Sequence, residues 1–163
     1  MRTFLQEPSS NSSSHYAVPR NEGPIYQFVD ETESAWHSGL TPICYSNPAF
    51  RPKWKLFNIQ GMSRNPNRVL IGIENEGFSV EVTYGSGPSA RTFQPTGDFT
   101  DWQYSANAWL VARAAKRWKF LIDRDHVLGH GEIFIPKANL CPGPRVSVDR
   151  IVTEALAIDP ASL

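Results

Sequence analysis

A chain of 163 residues suits a single domain of ordinary size and is long enough to bury a core. Its 16 Lys and Arg residues balance 16 Asp and Glu residues, which speaks against a nucleic-acid binder or a polybasic membrane anchor. No apolar run approaches the roughly 18–20 residues that span a bilayer.

Met1–Pro8 lacks the apolar stretch of a secretory signal peptide. Residues 9–14 are a polar loop of Ser and Asn. His15–Val18 and Ile25–Val29 are rich in β-formers and flank a turn at Gly23-Pro24, which predicts a hairpin. Residues 40–67 are irregular and rich in Pro and Asn, ending in Asn65-Pro66-Asn67. A loop of that length in a compact domain is usually functional or an insertion. Val69–Glu74 is a nearly continuous apolar run that predicts a central strand buried on both faces. Gly85, Gly87, Pro88, Pro95 and Gly97 mark another loop over 85–98.

Thr100 followed by Gln103 forms a capping box and opens the strongest helix signal in the chain. Trp102, Ala106, Trp109, Leu110, Ala114 and Trp118 recur at helical spacing, and the three tryptophans are expected in the core. Lys116, Arg117 and Lys119 load the last turn, where cations oppose the helix dipole favourably. Asp125–Gly129 reads as a short strand, and a second helix is predicted over about 147–157. The order of elements predicts an α/β domain with a mixed central sheet covered by helices. Polar residues at strand ends would then converge on one edge of that sheet.

The chemistry concentrates in Gly129-His130-Gly131-Glu132, Pro136-Lys137 and Cys141-Pro142-Gly143-Pro144. An imidazole and a thiolate separated by a short Pro-containing loop can approach one cation. Zinc takes N and S donors, and a catalytic zinc uses three protein ligands plus a water. Two donors alone leave such a site incomplete. The Pro142-Gly143-Pro144 turn is rigid, which suits a positioned ligand or a disulfide between Cys44 and Cys141 equally well.

Five segments in this order resemble the zinc-dependent N-acetylmuramoyl-L-alanine amidases of the phage-lysozyme and peptidoglycan-recognition-protein type. They are Ser14-His15-Tyr16, Ile25–Val29, Ala35-Trp36-His37-Ser38-Gly39, Ile71–Gly77, and Gly129-His130 through Pro144. The resemblance covers about residues 10–150 and implies one amidase-like domain over 1–163. It implies a zinc cofactor and a peptidoglycan or muropeptide substrate, cut between N-acetylmuramic acid and L-alanine. His130 and Cys141 fall on zinc-ligand positions, Glu74 on the acid that assists the attacking water, and Lys137 on a basic residue near the metal. Trp36 and His37 fall on a motif at the substrate groove.

Members of that family carry a further zinc histidine on a strand upstream of the Ser-x-His-Tyr hairpin, whereas residues 1–14 contain no histidine. The expectation is an N-terminally truncated domain, with an upstream segment or a partner chain covering the exposed sheet edge. Lys137 also stands farther from Cys141 than the family pattern implies. The alternative is a degenerate module that binds muropeptide without a complete zinc site. The resemblance places the protein at the cell wall, secreted or phage-released, as a lysin, an autolysin or a recycling enzyme. Trp54, in the long loop, is the tryptophan best placed by sequence to meet a glycan.

Overall fold

The structure, a computed structural model, describes residues 12–39, 66–77, 82–84, 91–93, 98–134 and 141–163. The predicted hairpin is present. Strand β1 (Tyr16–Val18) is wholly buried and pairs antiparallel with β2 (Tyr26–Gln27), Tyr16 facing Gln27. On its other side β1 pairs parallel with β3 (Ile73–Asn75), Ala17 facing Glu74. The sheet order is β2-β1-β3.

The Val69–Glu74 run was expected to be a central strand, and this is corrected. Among the described residues β3 lies at one end of the sheet, and β1 is central. The run divides: Val69 sits in a turn at 40 % exposure, and pairing begins only at Ile73, where the backbone meets β1. The predicted 85–98 loop also contains a strand. β5 (Arg91–Phe93) pairs antiparallel with β4 (Val82–Tyr84), two triplets of β-branched and aromatic character around a Gly/Pro-rich turn sequence.

Helix α1 (Asp101–Trp118) begins as its sequence dictates. Thr100 Oγ1 accepts from Gln103 N at 3.2 Å, and Thr100 N donates to Gln103 Oε1 at 3.2 Å. It ends at Lys119 in the left-handed region, whose N–H returns to Ala115 O at 2.8 Å. Ala106 and Leu110 pack on Tyr16 and Val18 of β1. Tyr104, Ala108, Val111 and Ala112 pack on Ile151 and Ala155 of α3 (Val148–Leu156). Alanines at the crossing let the two helices approach closely. Ser147 caps α3, and Arg150 stacks 4.1 Å over the Tyr104 ring while binding Asp101 and Glu154.

Two of the three helix tryptophans are not core residues. Trp109 is 38 % and Trp118 44 % exposed, with Arg113 and Arg117 stacked over their rings at 5.4 and 5.1 Å. At 3.6 residues per turn Trp118 lies about 160° round the helix from Trp102, so all three cannot share one buried face. The Asp125–Gly129 strand is absent as well. Asp123 Oδ1 accepts the Asp125 and His126 amides at 2.9 and 3.0 Å, turning the chain. His130 then opens a single helical turn, α2 (His130–Ile133).

Candidate active site

One cavity of about 730 Å³ brings together His15, His37, Glu74, His130 and Cys141. Its apolar side comes from α1 and α3. A volume of this size lies in the range of small-ligand sites. Chain segments far apart in sequence build it, and their meeting points are backbone contacts. Cys141 O accepts from Gly131 N at 2.7 Å, tying the Cys141 loop to the first turn of α2. Gly129 makes that approach feasible, because a Cβ there would lie 2.7 Å from Pro142 Cδ. Cys141 is half-buried.

The three histidines are held by backbone carbonyls. A carbonyl can only accept, so each contact fixes which ring nitrogen carries the proton. His130 Nε2 donates to Ser38 O at 3.0 Å, and its ring stacks on Phe134 at 5.9 Å. The lone pair of the neutral ring is therefore on Nδ1. His15 Nε2 donates to Glu33 O at 3.1 Å while Nδ1 accepts from Gly72 N at 3.0 Å. At 1 % exposure, with both nitrogens used, His15 is a structural staple between β1, the Glu33 loop and the entry to β3.

His37 Nε2 donates to Leu70 O at 3.1 Å, and its ring meets that of His15 edge-on at 5.7 Å. Burial pushes its pKa down from 6.5 to about 4 against the pull of the Leu70 carbonyl; the His15 and His130 rings add to the depression. The folded value lies below the unfolded one. The stabilising contribution is complete above about pH 6.5, falls as pH drops from there toward 4, and then levels off. The urea midpoint should accordingly fall further between pH 7.5 and 4.5 in the wild type than in His37→Leu. Equal falls would contradict the assignment.

The His37 ring lies directly on Gly72. A Cβ at Gly72 would stand 2.5 Å from His37 Cγ and 2.8 Å from Cδ2 and Nδ1. Gly72→Ala must therefore displace the ring, and should destabilise the fold by about 1–3 kcal/mol in equilibrium unfolding. Wild-type stability in this variant would show that the ring moves at no cost.

Sequence alternation leaves Glu74 and Glu76 indistinguishable, and the structure separates them. Glu76 Oε2 accepts from Arg20 N at 2.8 Å, and its backbone carbonyl accepts from buried Gln103. Its carboxylate is committed to the β1 loop. Glu74 is exposed in β3 and lines the cavity with His130 and Cys141. His126 also lines it, but its Nδ1 pairs with Asp123 at 2.6 Å and its ring stacks on Phe120. Trp36 is 63 % exposed, one residue before His37. Lys137, Cys44 and Trp54 lie outside the described residues.

Two residues the sequence did not single out hold this region together. Glu31, whose side chain is 2 % exposed, binds the Tyr16 hydroxyl, the Trp118 indole N–H and Arg117. Asn67 accepts the amides of both His37 and Ser38 on one carbonyl oxygen. Both amides lie about 30 residues from Asn67 in sequence, so no local pattern signalled the contact.

The donor set meets the needs of a catalytic zinc only in part. His130 offers an imidazole lone pair on Nδ1, and Cys141 offers a sulfur on the same cavity. Among the described residues no group of three or more His, Cys, Asp or Glu side chains is arranged to hold a metal ion. The described residues therefore do not by themselves make a catalytic zinc site, which needs three protein ligands. Nor, among them, is any helix long and apolar enough to cross a membrane.

No curated protein and no solved structure matches the chain. The family model described as N-acetylmuramoyl-L-alanine amidase matches residues 2–144, nearly the whole length. The small mixed sheet packed by α1 agrees with the α/β fold expected from the resemblance. The hairpin, the Ala35–Gly39 turn, the Glu74 strand and the His130–Cys141 corner meet at one cavity, and the chain belongs to the N-acetylmuramoyl-L-alanine amidase family.

Proposed function

We propose that this protein hydrolyses the amide bond between N-acetylmuramic acid and L-alanine, in peptidoglycan or in fragments of it. The observation that carries this reading is that Glu74, His130 and Cys141 line one cavity. In it, Glu74 takes the proton of the attacking water and returns it to the leaving amine. His130 and Cys141 are two ligands of a zinc ion whose remaining donor comes from outside the described residues. Lys137 sets a fixed positive charge near the developing oxyanion. Trp36 and His37 contact the glycan-linked peptide, His37 through the lone pair that its Nε2–H tautomer leaves on Nδ1. The site of action is the cell wall.

A second reading, a module that binds muropeptide without cutting it, is favoured by the lack of a three-donor cluster among the described residues. Muramyl dipeptide separates the two. With zinc supplied, the amidase reading expects free N-acetylmuramic acid and the released dipeptide by mass spectrometry, and none after chelation. Saturable binding with no cleavage under both conditions would overturn it in favour of the second.

A further inference from the structure

We propose that Asn67 is a positioning residue for His130, acting through the backbone of Ser38 to set which ring nitrogen carries the lone pair. Asn67 sits in the 3-10 turn Pro66–Arg68 and is 3 % exposed. Its Oδ1 accepts from His37 N at 3.1 Å and from Ser38 N at 2.9 Å. Two successive amides drawn to one oxygen fix the orientation of the turn. Ser38 is itself 1 % exposed, so solvent does not compete for its backbone. Its carbonyl then faces His130 Nε2 at 3.0 Å, across 92 residues of sequence. That carbonyl requires an N–H, so the proton stays on Nε2 and the lone pair on Nδ1.

The contacts run in series: the Asn67 amide oxygen, the Ser38 N–H, the Ser38 carbonyl, the His130 ring. Without the first, the buried Ser38 N–H loses its contact with Asn67 and the His37 N–H keeps only the Ala35 carbonyl, at 3.2 Å, and the carbonyl that selects the tautomer loses its position. Groups that orient a functional histidine in this way commonly carry about 10–100-fold of metal affinity or activity. A side chain that only stabilised the loop would leave the ring's protonation pattern unchanged.

The test is the His130 tautomer by nitrogen-15 NMR at pH 7.5 on the metal-depleted chain, with His130→Gln for assignment. Wild type is expected in the Nε2–H form. Asn67→Ala should move His130 toward a mixture of tautomers, and Asn67→Asp, which keeps an acceptor oxygen at the same place, should restore the Nε2–H form. If Asn67→Ala does not fold, Asn67→Ser is read in the same way. An Nδ1–H form in the wild type would overturn the proposal, as would an unchanged tautomer in the folded Ala or Ser variant. The consequence for catalysis rests on the amidase reading: cleavage of muramyl dipeptide should fall at least tenfold in Asn67→Ala and recover in Asn67→Asp. If no form cleaves, that reading fails while the tautomer result still decides the role of Asn67.

Discussion

Glu74→Gln is expected to reduce amide hydrolysis by about 10²–10⁴-fold, the usual worth of a positioned general base. Fold and substrate binding should be retained. Glu74 is exposed on β3 and lines the cavity, so the substitution disturbs no buried packing. The amide keeps the shape of the side chain and removes its charge and its ability to take a proton. Glu76→Gln is the matched control. Its oxygen can still accept from Arg20 N, so activity should stay close to wild type. The readout is kcat and KM on muramyl dipeptide, with circular dichroism to check folding. Full activity in Glu74→Gln would assign the proton transfer to another group.

Glu31→Leu should cost about 3 kcal/mol, because it leaves a buried hydroxyl and an indole N–H without their acceptor. The Glu31 carboxylate lies 2.5 Å from Tyr16 Oη and 2.7 Å from Trp118 Nε1, joining the hairpin to the end of α1. Burial, reinforced by Glu31, pushes the Tyr16 pKa up to about 12. For a chain of this size the loss lowers the melting temperature by roughly 6–12 °C. Arg117→Met should cost less than about 1 kcal/mol, since its ion pair with Glu31 spans 3.4 Å and the arginine is 43 % exposed. Calorimetry of the two variants checks the ordering. Equal effects would show that the cluster is held by charge rather than by the two neutral donors.

The elements legible in the sequence were those set by neighbours in the chain. The capping box of α1 lies within four residues, and the hairpin and α3 follow from local patterning and turns. Misreadings arose where a distant partner or a side-chain-to-backbone bond decided the outcome. Asp123 turned the predicted strand before His130 by binding two amides, which residue pattern alone does not reveal. The apolar Val69–Glu74 run resembled a buried strand, yet its pairing began only where the chain met β1.

Candidate residues for the site could be named from the sequence, but their arrangement could not. His130, Cys141 and Glu74 were named from motif order, and the structure places all three on one cavity. What orients the histidines of the cavity, His130, His37 and His15, is mostly backbone: the Ser38, Leu70 and Glu33 carbonyls and the Gly72 N–H. Those groups are identical in every residue, so no pattern of side chains announces them. Gly72 and Asn67 act through contact distance and an amide oxygen, and their roles emerge only once the Trp36–Gly39 turn is in place.

The most direct test of the amidase assignment is an end-group measurement on purified cell-wall sacculi. The walls are incubated with zinc and either wild type or Glu74→Gln, and newly freed amino termini are labelled and identified. The account predicts that wild type releases N-terminal alanine without creating new sugar reducing ends, and that Glu74→Gln releases almost none. Alanine release absent from both proteins, or equal in both, would contradict it.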